Sequence, residues 1–260
     1  MCIIVCKPAG IKLPNKEILE ECFNRNNDGA GFMFLDKNKV RIERGYFTFA
    51  DFYKDVKHYA KLDIPCVMHF RIGTHGSKSA DNTHPFAISD NDMFLKNQRC
   101  YTNIGVAHNG IISLTSSSSY NYYNADNTSD TYKFVKEYLS LIIESHKFYE
   151  DDDVIKLIEK LIGVNNKLAF LTKDGHIEKI GDFIEDNGIY YSNSSYKPVQ
   201  TNFTISHHNA HSDIGYDWEF FKLDKIGYDF PVGACPATCD NDYSYCSRCS
   251  NKKNCRLNKL

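Results

Sequence analysis

Apolar segments of two periods follow one another along the chain, and their order selects the fold class. Cys2-Ile3-Ile4-Val5 opens as a strand, and Gly31–Leu35 and Val40–Glu43 form a hairpin pattern across Asp36-Lys37-Asn38. Between them, Pro14-Asn15 introduces a helix with Ile18, Leu19, Cys22 and Phe23 on one face. Thr48 caps a second helix, whose Phe49, Phe52, Tyr53, Val56 and Tyr59 keep helical spacing. Pro65–Arg71 and Gly105–His108 read as strands, and the polar stretch from Gly73 to Asn82 as a loop. A Ser/Tyr/Asn-rich segment, Thr115–Asn127, is expected as an exposed loop. Two helices follow. Asp130–His146 places Val135, Tyr138, Leu139, Ile142 and Ile143 on one side, and Asp151–Gly163 has acids in its first turn and Gly at its end. Leu168–Thr172, Ile177–Ile180 and Ile189–Ser192 then read as a meander turning at Asp174-Gly175 and Asn187-Gly188. This order predicts an α+β fold whose sheets are covered by helices on their outer faces.

Composition narrows the function classes. A chain of 260 residues suits one globular domain with an appendage, or two small domains. Aromatic residues make up 13% of it, a core-building composition that excludes disorder for most of the length. Its 31 Lys+Arg against 33 Asp+Glu leave a net charge of −2, which removes the usual electrostatic basis for binding nucleic acid or a membrane surface. No apolar run approaches the ~20 residues of a membrane helix, and no signal-peptide pattern opens the sequence, so a cytoplasmic protein is expected. Cys2, Cys6, Cys22, Cys66 and Cys100 are scattered and, Cys2 apart, expected as isolated buried thiols.

Four short patterns carry chemistry. Met1-Cys2 is a substrate for methionine removal, because Cys is small, and the mature chain would begin with Cys2. A terminal Cys puts a thiol beside a free α-amine of pKa roughly 7.7–8, so one residue supplies nucleophile and base. Arg71, at the end of a strand and before the small-residue run Gly73-Thr74-His75-Gly76, can hold an anionic group through two parallel hydrogen bonds, or be a surface ion-pair partner. His108-Asn109-Gly110 pairs a side-chain amide with an exposed backbone N–H, two donors suited to an oxyanion, although Asn-Gly is equally a hairpin turn. Ser129-Asp130-Thr131 opens a helix, where Asp is usually a cap.

Taken in order with Arg25-Asn26-Asn27-Asp28-Gly29-Ala30-Gly31 and Asn82…His84-Pro85, these patterns resemble the glutaminase domain of class II glutamine amidotransferases, a family of N-terminal-nucleophile hydrolases. The likeness is nearest to the glutaminase half of the glucosamine-6-phosphate synthases. It implies a four-layer αββα sandwich over residues 2–205 and cleavage of the glutamine side-chain amide through a Cys2 thioester, giving glutamate and ammonia without a cofactor. It implies that Asn109 and Gly110 stabilise the oxyanion, that Arg71 grips the substrate α-carboxylate and Asp130 its α-ammonium. Arg25 would orient the nucleophile, and Thr74 and His75 would line the glutamine pocket. His75, His84 and His108 are expected to line the pocket or pack rather than act as bases. Ile72 stands where the synthases carry a Trp that separates the site from water and an ammonia route, so channelling is not implied.

The resemblance ends near residue 200, and what remains is too short for a synthase domain. A separate ammonia-accepting chain is therefore the expected partner. An amidase for another γ-glutamyl amide, or an idle scaffold domain, stays open. Residues 206–260 form a Cys-rich extension with Cys235-x3-Cys239-x6-Cys246-x2-Cys249-x5-Cys255, which four at a time suit a structural zinc; an iron–sulfur cluster, disulfides or free thiols also remain open.

Overall fold

A computed structural model describes residues 2–73, 77–113 and 128–198. The expected exposed loop at Thr115–Asn127, Thr74, His75 and the Cys-rich extension lie outside the described residues.

The fold is α+β and both its sheets are antiparallel. The first contains β1 (Ile3–Lys7), β2 (Ala30–Asp36), β3 (Lys39–Tyr46), β4 (Cys66–Phe70), β6 (Arg99–Thr102), β10 (Ile184–Asp186) and β11 (Ile189–Tyr191), in the order β10-β11-β1-β4-β2-β3-β6. The second contains β5 (Phe86–Ala87), β7 (Ile104–Asn109), β8 (Lys167–Thr172) and β9 (Ile177–Ile180), in the order β5-β7-β8-β9. The helices are α1 (Lys16–Arg25), α2 (Phe49–Tyr59), α3 (Asp92–Lys96), α4 (Asp130–Phe134), α5 (Ser140–Ile142) and α6 (Asp152–Ile162).

Strand periodicity sorts the apolar residues into three clusters. Ile3 and Val5 of β1 face α1 and α2, packing with Leu19, Phe23, Phe52 and Val56. Their neighbours Ile4 and Cys6 face the other way and meet Ala107, Ala169 and Leu171 of the second sheet. The far face of that sheet, with Val106, Leu168 and Phe170, packs against Phe134, Val135, Leu139 and Ile158 of the later helices. Small residues on β7 and β8 let the sheets approach. A Cβ placed on Gly105 would come within 2.5 Å of Met33 Sδ, so a larger residue there would have to push the Met33 side chain aside.

Two readings are corrected. The helix expected over Asp130–His146 ends at Ile142 and passes through a π-helical segment, Val135–Leu139. The expected meander is not one: β8 and β9 pair within the second sheet, while β11 crosses to the first and pairs with β1, Val5 opposite Tyr191. Ile189 and Tyr191 are apolar in the register that the helix-covered face requires, and this burial overrides pairing with the preceding strand. Asn187-Gly188 does form a hairpin turn, between β10 and β11, with φ of 53° and 76° as its two-residue loop requires. The segments β5, α3, β6 and β10 are too short to show periodicity in the sequence.

Lys7 ends β1 fully buried, and its Nζ donates to the carbonyls of Lys61 (2.8 Å), Leu62 (3.1 Å) and Ile64 (2.7 Å). Its ammonium thus holds the turn before β4. Lys7→Met removes one donor from each of these carbonyls, leaving Lys61 O with the Ile64 N–H and Leu62 O with the Gly10 N–H, and is expected to destabilise the fold by about 2 kcal/mol. The check is a fall in the urea midpoint at constant m-value; an unchanged midpoint contradicts the role given to the ammonium.

Candidate active site

Pairing of β1 with β4 brings Cys2 beside the residues that follow β4. Cys2 Sγ lies 3.4 Å from both the N and the O of Ile72, accepting from one and donating to the other. Burial raises the thiol pKa; the Ile72 N–H and the Arg71 charge oppose that, and Asp130 adds to it. Asn193 Nδ2 donates to the Cys2 carbonyl at 2.7 Å, and Asn193 Oδ1 accepts from Ser195 N at 3.0 Å, which fixes the direction of that amide.

Arg71 is buried, and burial pulls its guanidinium below the usual value against the opposing charges of Cys2, Asp28 and Asp130. One of its nitrogens donates to Ser77 O at 3.3 Å. Asp28 Oδ2 accepts the Gly73 N–H at 2.8 Å while Oδ1 meets Lys78 Nζ at 3.0 Å. The Gly73 bond is the first cause of the lowered Asp28 pKa. Asp28 therefore anchors the chain on both sides of residues 74–76.

Asp130 does not cap its helix. Ser129 does, accepting from Tyr132 N at 3.2 Å, which releases the Asp130 carboxylate to accept Ile112 N and Thr131 N, each at 2.8 Å. Asn109 is the last residue of β7, and Gly110 follows with φ 145°. Among the described residues, 111–113 form no strand returning along β7, so Asn109-Gly110 is not a two-residue hairpin turn. A Cβ on Gly110 would meet Asn166 Oδ1 at 2.1 Å, and the position admits glycine alone. The Asn109 amide meets Ser192 Oγ at 2.9 Å, and Asn109 Oδ1 is buried without a partner.

Beneath these residues lie three buried imidazoles. His69 Nε2 is 2.9 Å from His108 O and so carries the proton. Asn166 Nδ2 donates to Ile162 O, so its Oδ1 accepts from His108 Nε2 at 2.8 Å and His108 Nδ1 accepts from the Thr131 hydroxyl at 2.8 Å. His84 stacks on His69 with ring centroids 4.1 Å apart and Nδ1 accepts from His108 N. Burial lowers all three pKa values, His69 to about 3. His84 and His108 are thus packed, neutral groups.

Arg71 and Asp130 lie close enough to act on the Cys2 thiol, and Cys2 and Asp130 on the Arg71 guanidinium, and the Ser192 hydroxyl links Asn109 to Ile4 N, two residues beyond Cys2. Arg25 is not part of this group. Its guanidinium pairs with Glu21 at 2.6 Å and with Lys197 O at 3.0 Å, because it sits in the last turn of α1, packed against 194–196. Asp28, Ser192, Asn193 and Asn166 are not among the site residues that the resemblance implies. A Ser-Asn pair closing the strand that flanks β1 is the one signal that could have found two of them.

No family model matches the sequence, and no curated protein matches it. Among solved structures, the chain is similar to glutamine phosphoribosylpyrophosphate amidotransferase from B. subtilis, at 16% identity and a TM-score of 0.40 over 66% of this chain. The match spans 35% of that protein's length. No helix among the described residues is long and apolar enough to cross a membrane.

The buried imidazoles set an acid limit on stability. Unfolded histidine takes up a proton near pH 6.5, whereas these three in the fold do so only at lower pH, so the unfolded chain binds more protons in between. Unfolding free energy should be maintained above about pH 6.5 and fall steadily as pH drops toward about 3. Urea unfolding at pH 7 and pH 5 checks this, and equal stability at the two contradicts it.

Proposed function

We propose that the chain is a glutaminase of the glutamine amidotransferase type, with the four-layer N-terminal-nucleophile fold. The carrying observation is the convergence of a thiol at residue 2, a buried guanidinium and a carboxylate at one end of the first sheet. The three apolar clusters around two sheets support the fold reading. In the mature chain the Cys2 amine takes the thiol proton, and the thiolate attacks the glutamine side-chain carbonyl carbon. Proton return to the nitrogen expels ammonia and leaves a γ-glutamyl thioester, which water hydrolyses to glutamate. An opposite charge on Arg71 suits the α-carboxylate, and Asp130, whose carboxylate accepts the Ile112 and Thr131 N–H groups, suits the α-ammonium. Asn109 and Gly110 lie at the strand end where an oxyanion would form. Thr74 and His75 complete the pocket in this reading, and Arg25 acts only through the 194–197 turn it holds. Ammonia passes to a separate synthase chain.

The Cys-rich extension, in the same proposal, is clipped by one zinc on four of Cys235, Cys239, Cys246, Cys249 and Cys255. Elemental analysis of the full chain should find one zinc per chain, lost in a Cys246→Ser/Cys249→Ser variant. A metal-free wild type contradicts the clip.

The glutaminase reading is tested with the electrophilic glutamine analogue 6-diazo-5-oxonorleucine. One adduct is expected, on the peptide beginning at Cys2, with loss of ammonia release from glutamine. Cys2→Ala should take no label and lose at least ~10³ of the turnover. Turnover that survives in Cys2→Ala contradicts the reading, and so does labelling of another residue.

A further inference from the structure

The Ser192 hydroxyl touches two groups: the Ile4 N–H at 2.8 Å and the Asn109 amide at 2.9 Å. A hydroxyl has one proton to give and two lone pairs. With Asn109 Nδ2 turned toward it, Ser192 Oγ accepts twice, no acceptor among the described hydrogen bonds takes its proton, and Asn109 Oδ1 is buried unpaired. Reversing the amide gives the Ser192 proton an acceptor and exchanges the buried unpaired oxygen for a buried NH2 group that only a ligand would satisfy. Ile4 N–H then donates to Ser192 Oγ, Ser192 O–H donates to Asn109 Oδ1, and the unpaired end of the amide carries the NH2 group. The two ends of an amide have the same shape, so the network decides between them, and an unmade bond in a buried site costs about 1–3 kcal/mol.

We infer that Ser192 is a positioning residue that sets the Asn109 amide with its nitrogen at the unpaired end, as an oxyanion donor. The role, though not the orientation, rests on the glutaminase reading above. Several contacts hold Ser192 for this task. Its N donates to Ile4 O at 3.0 Å, its O accepts Lys167 Nζ at 2.5 Å, and the next residue, Asn193, holds the Cys2 carbonyl. One short segment thus fixes both the nucleophilic residue and the amide, across a sequence separation of 83 residues to Asn109 and 191 to Cys2.

Two measurements on the full chain test the inference. Neutron diffraction from deuterium-exchanged wild-type crystals should place a deuteron between Ser192 Oγ and Asn109 and the ND2 group at the opposite end of the amide; ND2 facing Ser192 overturns the inference. In steady-state glutamine hydrolysis, Ser192→Ala should lower kcat by about tenfold or more, toward the ~10²–10³ that loss of an oxyanion donor costs, with KM within about twofold. Because Ser192 acts through Asn109, the Ser192→Ala/Asn109→Ala double variant should be no slower than Asn109→Ala alone. Multiplied losses in the double variant overturn the inference. A wild type without glutamine turnover would count against the glutaminase reading instead, and the deuteron positions would still decide the orientation of the amide.

Discussion

Everything near residue 2 depends on the register of β1. The strand is buried on both faces and paired on both edges, with Ile3 opposite Phe70 and Val5 opposite Tyr191. A slip of one residue would move Ile3 and Val5 from the helix-covered cluster into the sheet–sheet cluster, exchanging them with Ile4 and Cys6. At about 25 cal/mol per Å² of apolar area, the packing of several full side chains opposes that slip. Placement of Cys2 against Ile72 is therefore a consequence of core packing. A residue that would fray as a chain end is held by apolar side chains behind it and by Asn193 on its carbonyl.

The polar layer under the site is held by neutral groups. A chain of contacts runs from the Asp130 carboxylate to Thr131, from Thr131 to His108, and from His108 to Asn166, whose Oδ1 crowds Gly110. Substituting any member would leave another buried group unpaired, which ties the helix start at Asp130 to the end of β7. Arg44 does the same for the neighbouring segment. It is buried over the Phe86 ring and donates to the carbonyls of Asn97 and Thr83, with burial lowering its pKa to about 10. The stretch between β4 and β6 is thereby anchored at several points, although it has little regular structure.

The sequence exposes what is local and periodic. Thr48 accepts from Asp51 N as a cap should, Asp151 accepts from Asp153 N and Val154 N, and Gly163 ends its helix with φ 74°. The hairpin across Lys37 and the positions of Cys2, Arg71, Asn109 and Asp130 are legible for the same reason: each sits at the end of a strongly patterned element. Long-range pairing is not legible. Nothing in the composition of Ile189–Tyr191 says that it returns to β1 rather than to β9, and with that pairing hidden, Ser192 and Asn193 look like ordinary loop residues. Arg25 misleads in the opposite sense. It lies in a motif-like run, but helix geometry points it at Glu21 one turn back.

The central claim is that the sulfur of a processed, amine-bearing Cys2 carries the acyl group during turnover. Acid quenching of the full chain during glutamine hydrolysis, followed by intact-mass and peptide analysis, tests it most directly. The account expects a transient gain of one glutamyl group on a peptide that begins at Cys2 and lacks Met1. Steady turnover by a chain that retains Met1, or with the glutamyl group on any other residue, would contradict it.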